Sequence, residues 1–316
     1  MCGLFGFHNY SGKAIKNLCM LTNCLAEEAT IRGTDAAGIA YNDKNRLVIH
    51  KEPKSAYNIT FKHPDNAVCV TGHTRHATQG DKKQNQNNHP FGGSCKNLCF
   101  ALCHNGVLTN DDTLRKKYHF PRTKIKTDSY AAVQLLEKQK QLNGDNIKFM
   151  AEEIRGSFAF TILDSENSLW LIRGDSPLSL IHLPRYQMYV YASTDEILFK
   201  ALVDTDLFKE IKTGNFEEIS VCEGDILKIS SDGKIDTDTF TYEEFSGGRH
   251  WWEYGYGYAG YGYGCSTTSG KHSHDSYIED LKAVAVYQGF DEDEIDNLLQ
   301  SGFSPEEIED LIYCYE

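Results

Sequence analysis

The 316-residue sequence contains no run of about eighteen apolar residues, so no segment is expected to cross a bilayer as a helix. Its opening residues, MCGLFGF, lack the basic leader and long apolar stretch of a secretory signal, and a cytoplasmic protein is expected. Excess basic charge is missing too. The 32 Lys and Arg stand against 45 Asp and Glu, which argues against nucleic acid or an anionic membrane as a partner. The ten cysteines show no regular small-domain spacing and read as buried or reactive thiols, not as a disulfide framework. Neither GxGxxG after a strand nor a GxxxxGKS/T loop occurs, so two common phosphate cradles are absent.

What is present is unevenly spread. Residues 275–316 hold thirteen acids and one base, whereas residues 1–240 hold 29 of each, so the net charge of −13 resides almost wholly in the tail. Between them, 241–274 is a Gly/Tyr-rich stretch in which Tyr254, Tyr256, Tyr258, Tyr261 and Tyr263 alternate mainly with glycine; it reads as a flexible linker. Beyond it, Asp291 with Glu294 and Ser304-Pro305 with Glu307 are helix starts of the capping-box type. Apolar patterns follow each, at Ile295, Leu298 and Leu299, then at Ile308, Leu311 and Ile312. With a helix expected at 277–287, residues 275–316 form an acidic three-helix module, weakly similar to ubiquitin-associated domains.

In residues 2–240, Ile15, Leu18, Cys19, Leu21 and Leu25 lie at helical spacing within 13–28, and the segment after Thr127 reads likewise. Strands are expected near 45–52, 66–75, 97–106, 156–164, 168–174, 187–193 and 224–230, with a hairpin turn at Ser165-Glu166-Asn167. Hairpin-linked strands with helices in separate blocks favour an α+β fold of mostly antiparallel sheets covered by helices.

Chemistry enters at Cys2. A small residue after the initiator permits removal of Met1, which would leave a thiol and a free α-amine on one residue. Such an amine has a pKa of about 7.7–8 and serves as a base near neutrality. In order after it come RGTDAAGIA at 32–40, TGHTRHATQG at 71–80, NNHPF at 87–91, HNGVLTN at 104–110 and KTDSYAA at 126–132. Together with CGLFGF at 2–7, this series resembles the class II glutamine amidotransferases, which are N-terminal-nucleophile hydrolases. The resemblance covers about residues 2–200, and the strands to 240 complete the domain.

The resemblance implies a four-layer αββα sandwich and hydrolysis of L-glutamine to L-glutamate and ammonia through a γ-glutamyl thioester on Cys2. It implies an oxyanion hole at the Asn105 side-chain amide and the Gly106 N–H, where a Cβ is expected to crowd the tetrahedral centre. By itself, Asn-Gly reads first as a hairpin turn, and only within this series of motifs as an oxyanion hole. Arg75 would grip the substrate α-carboxylate, as suits a planar guanidinium, and Asp128 would hold the α-ammonium, with His89 and Thr78 completing the substrate site. Arg32 and Asp35 are read as a structural ion pair and turn. Residues 81–93 are read as a mobile lid that His89 orders, and His76 departs from the Trp or Tyr often found after this Arg in the family.

Other constellations carry less. The four-residue spacing of Cys95, Cys99 and Cys103 fits no common metal pattern, and on a strand Cys99 and Cys103 share a face, expected to be buried. Ser246-Gly247-Gly248 has the start of an ATP-pyrophosphatase loop, but Arg249 and His250 follow it. No metal and no cofactor are therefore expected. No synthetase domain is recognisable, and a separate ammonia-accepting synthetase subunit is the expected partner. Two rival readings remain: an amidase of the same fold acting on another γ-glutamyl compound, and a non-catalytic scaffold.

Overall fold

The computed structural model describes residues 2–242, except 45 and 97, and the isolated positions 295, 297 and 298. Apart from those positions, the expected linker beyond 242 and the acidic helical module lie outside the described residues. No helix among the described residues is long and apolar enough to cross a membrane.

In chain order the strands are β1 (Gly3–Asn9), β2 (Ala36–Asp43), β3 (Arg46–Glu52), β4 (Cys69–Arg75), β5 (Phe91–Cys95), β6 (Leu98–Leu108) and β7 (Gly156–Asp164). Then follow β8 (Leu169–Arg173), β9 (Ser179–Leu183), β10 (Met188–Ala192), β11 (Glu217–Ile219), β12 (Asp225–Ile229) and β13 (Ile235–Thr239). The helices are α1 (Leu18–Glu28), α2 (Asp111–Lys117), α3 (Tyr130–Gln139), α4 (Gly144–Glu153), α5 (Asp195–Val203) and α6 (Phe208–Lys212). They form two sheets, ordered β11-β9-β10-β1-β4-β2-β3 and β13-β12-β8-β7-β6-β5. Every pairing between neighbours is antiparallel. The expected hairpin is present, β7 pairing β8 through the turn at 165–167.

Three apolar cores define four layers. Phe5, Phe7, Val70 and Val190 of the first sheet pack on Leu21 and Leu25 of α1 and on Ile197 and Leu198 of α5. Phe100, Leu102, Phe158 and Phe160 of the second sheet pack on Val133 and Leu136 of α3 and on Ile147 and Met150 of α4. Between the sheets lie Leu4, Cys69, Cys103, Leu163, Leu171, Tyr191 and Leu227. Period-two alternation sends one set of side chains to the helices and the other to the facing sheet, which is why the strands read as near-continuous apolar runs. A polar seam crosses the middle layer, where Thr71 Oγ1 meets Thr161 Oγ1 at 2.8 Å and accepts from Tyr191 Oη at 2.8 Å.

Helix α1 begins at Leu18, five residues later than the periodicity suggests. Asn9 and Ser11 explain the delay: Ser11 Oγ donates to Asn9 Oδ1 at 2.6 Å, and Asn9 Nδ2 donates to the Lys13 carbonyl at 3.1 Å. Such side-chain bonds compete with helical ones, and Asn17 then turns the chain at φ 62°. Ile15 still packs on the first core, so the apolar pattern was sound while the conformation was not helical.

Leu171→Ala removes a fully buried side chain from between the sheets. It is expected to destabilise the fold by about 2–5 kcal/mol, read from the denaturation midpoint at unchanged m-value; a loss under about 1 kcal/mol would contradict the layering.

Candidate active site

The chain turns into β1 directly after Cys2, and Gly3 fixes where that happens. A Cβ on Gly3 would stand 2.6 Å from Thr74 Oγ1 and 3.0 Å from the Ala29 carbonyl oxygen, so only glycine permits this approach to β4. Cys2 consequently lies against the end of β4. The His76 N–H donates to Cys2 Sγ at 3.4 Å, the thiol reaches the His76 carbonyl at 3.5 Å, and Arg32 Nε donates to the Cys2 carbonyl at 2.7 Å. Burial pushes the Cys2 thiol up, while the His76 N–H and the Arg75 guanidinium pull it down and the Asp128 carboxylate pushes it up further. The net effect is a rise, with burial the largest cause.

The RGTD turn clamps the same corner. A Cβ on Gly33 would fall 2.4 Å from the Arg75 carbonyl carbon, and the Asp35 N–H donates to the Arg75 carbonyl at 2.9 Å. The Asp35 carboxylate takes the Ala77 N–H at 2.9 Å and pairs with Lys82. Burial raises the Asp35 carboxyl, but Ala77 and Lys82 outweigh it and hold it below its ordinary range. The ion pair expected within this motif differs from the one found: Asp35 pairs with Lys82, and Arg32 Nε donates to the Cys2 carbonyl.

Thr71, His73 and Arg75 share the face of β4 turned to the second sheet. Arg75 is only 3% exposed; its Nη1 donates to Asn88 Oδ1 at 2.7 Å and its Nη2 to the Gln79 and Gly80 carbonyls. Asp128, 4% exposed, sits just ahead of α3 and accepts the Leu108 N–H on Oδ2 at 2.7 Å and the Ser129 hydroxyl on Oδ1 at 3.4 Å. Burial lowers the Arg75 pKa, and Cys2, Asp35 and Asp128 oppose that fall. A thiol, a buried cation and a buried carboxylate from three elements are thus within electrostatic reach of one another.

The oxyanion candidates lie where β6 loses a neighbour. Pairing with β5 ends at Leu102, whereas pairing with β7 continues to Leu108. Since the Leu108 N–H points away from β7 towards Asp128, the N–H of Gly106, two residues earlier, is directed to the same open edge. Asn105 is 2% exposed, and its Nδ2 has no hydrogen-bond partner among the described residues. A buried donor left without a partner is costly, which makes this amide a candidate donor to a ligand. The reason for glycine at 106 differs from the expected one. Its φ is +133°, and a Cβ there would lie 2.0 Å from the Ser157 carbonyl oxygen on β7; the neighbouring strand, before any substrate, forbids a side chain.

Behind Arg75 the histidines of three separate motifs come together, a grouping that the motifs do not announce. His73 and His89 stack with centroids 4.0 Å apart, His73 Nε2 bonds the His104 carbonyl at 2.9 Å, and His104 Nδ1 bonds Ser129 Oγ at 2.8 Å. Burial pushes His73 down to about 3 and His89 well below its ordinary value, so both are neutral. His89 is packed inside this group, whereas Thr78 and the His76 side chain are exposed. His76 serves Cys2 through its backbone, a role that no side-chain motif announces.

The expected lid is shorter than 81–93. Residues 81–86 are exposed, 87–90 are buried, and Phe91–Gly93 already belong to β5. Asn87 and Asn88 tie the buried part down, Asn87 Nδ2 to the Asp81 carbonyl and Asn88 Nδ2 to the Lys82 carbonyl, both at 3.0 Å. Cys99, expected to be buried with Cys103, is exposed: Cys103 belongs to the core between the sheets and Cys99, near the start of β6, does not.

Residues 73–200 match the family described as glutamine amidotransferase domain. The chain is 29% identical over 230 residues to glutamine–fructose-6-phosphate aminotransferase (isomerizing) of Listeria innocua, covering 68% of this chain and 36% of that protein. It is 31% identical over 186 residues to the enzyme of the same name from Bacillus thuringiensis, covering 56% of this chain and 30% of the other. The chain thus spans about a third of the length of these relatives. Among solved structures, glutamine phosphoribosylpyrophosphate amidotransferase from B. subtilis, complexed with ADP and GMP, shares the fold with a TM-score of 0.58 at 22% identity, covering 77% of this chain and 50% of that one. Residues 73–200 thus carry a glutamine amidotransferase domain.

Proposed function

We propose that the domain hydrolyses L-glutamine to L-glutamate and ammonia, with Cys2 as nucleophile. The observation that carries this reading is the convergence of the Cys2 thiol, the Arg75 guanidinium and the Asp128 carboxylate at one corner of the sandwich. A cation and an anion beside a nucleophile match the carboxylate and ammonium of a free α-amino acid, which favours glutamine over a γ-glutamyl compound blocked at that end.

Removal of Met1 frees the Cys2 amine, which takes the thiol proton as sulfur attacks the γ-carboxamide carbon. Asn105 Nδ2 and the Gly106 N–H donate to the oxyanion. The ammonium returns its proton to the leaving nitrogen, ammonia departs, and a γ-glutamyl thioester remains. The amine then takes a proton from water as it attacks the thioester, and glutamate and the thiol are restored. His89 acts here by ordering the wall behind Arg75, and Thr78 joins the substrate contacts only if its exposed segment folds inward. Ammonia passes to a separate synthetase subunit, which the acidic tail helps to recruit.

Intact mass is expected to show a chain lacking Met1, and Cys2→Ala is expected to abolish glutaminase activity; activity surviving in that variant would sink the mechanism. Because the amine must be unprotonated, kcat should rise with pH through about 7.7–8 towards a plateau. Asn105→Ala should lower kcat by about 100- to 1000-fold with a smaller change in KM, and an unaltered kcat would remove the amide from the oxyanion hole. A chain ending at residue 240 should lose a protein that co-purifies with the full chain; identical sets of bound proteins would defeat the role given to the tail.

A further inference from the structure

Lys51 on β3 is half-buried, and its Nζ donates to two backbone carbonyls that flank His89, those of Asn88 at 2.5 Å and Pro90 at 2.9 Å. The ammonium also lies 5.0 Å from the centre of the Phe91 ring. Its main-chain carbonyl accepts Asn85 Nδ2 at 2.7 Å, so this one residue holds the polar loop at three points. The seat beneath is close-fitting: a Cβ on Gly38 would fall 2.4 Å from the His89 carbonyl oxygen and 2.5 Å from Lys51 Cβ. What the loop presents from this seat is Asn88, fully buried, whose Oδ1 accepts from Arg75 Nη1.

The geometry points to Lys51 as a positioning residue for Arg75: by clamping the Asn88 and Pro90 carbonyls, its ammonium sets the place of the guanidinium that grips the substrate α-carboxylate. The inference rests on the glutaminase reading of the site. A lysine that merely snorkels keeps its head in water, whereas this one spends its donors on the loop backbone. The groups facing it are Arg75 and His73 from β4, His89 from the loop and Cys103 from β6. Burial, with Arg75 adding to it and Cys103 opposing, brings Lys51 down to about 8. As pH passes that value the ammonium loses its proton, and the charge-assisted bonds to Asn88 and Pro90 weaken.

The test is steady-state glutaminase kinetics on the full chain, Lys51→Met and Lys51→Arg, from about pH 6 to about pH 9.5. Lys51→Met is expected to raise KM for glutamine about tenfold or more while kcat stays within about twofold. The unaltered chain is expected to show a rise in KM above about pH 8, and Lys51→Arg should keep KM low and abolish that rise. An unchanged KM in Lys51→Met, or a fall in kcat alone, overturns the proposal. If Lys51→Met does not fold, the pH profiles of the unaltered chain and Lys51→Arg decide, and superimposable profiles overturn it. If the unaltered chain has no glutaminase activity, the functional reading fails by itself. The clamp is then judged by hydrogen exchange at the Asn87 and Asn88 amides, which bond the Gln84 and Asn85 carbonyls. Protection lost in Lys51→Met and kept in Lys51→Arg supports it; equal protection in all three overturns it.

Discussion

The site depends on a mismatch in strand length: β5 stops pairing at Leu102 while β6 runs on beside β7 to Leu108. An open sheet edge is ordinarily a liability, because its N–H and C=O groups seek partners. Here His73 bonds the His104 carbonyl and Asp128 takes the Leu108 N–H, and between them lie the Gly106 N–H, directed to the open edge, and the buried Asn105 amide. Closing β5 over this stretch would satisfy the backbone and remove the site.

Burial gives the corner its electrostatic character. Arg75 and Asp128 are almost wholly removed from solvent, so their charges are weakly screened, and the neighbouring histidines are kept neutral by the same burial. The Cys2 thiol is likewise pushed up by burial, against the pull of the His76 N–H and the Arg75 guanidinium. Around them, backbone carbonyls and amides do much of the holding: those of Gln79 and Gly80 on Arg75, that of Cys2 on Arg32, and those of Asn88 and Pro90 on Lys51.

Legibility followed residue type. Strands such as β7, β8 and β10 stand out because both faces are buried and their apolar runs are unbroken. Short or exposed elements such as β11 and β13, with acidic residues facing solvent, carry no such pattern. Cys2, Arg75, Asn105, Gly106 and Asp128 could be named from motifs, since each brings a chemically distinctive group. Lys51 could not, because its importance comes from two carbonyls nearly forty residues away in sequence. Asn88 was visible only as part of a polar loop.

The sequence by itself determined which side chains are available: a cysteine at position 2, an arginine in GHTRHAT, an aspartate in KTDSYAA, and an Asn-Gly pair on a strand. Those follow from side-chain identity and order along the chain. Tertiary structure alone decided that Gly106 answers to Ser157 on the next strand, that His76 serves Cys2 through its backbone, and that the loop at 87–90 is buried. The physical reason is that these depend on how far neighbouring strands extend and how closely two sheets approach, and such distances are set by packing among residues remote in sequence.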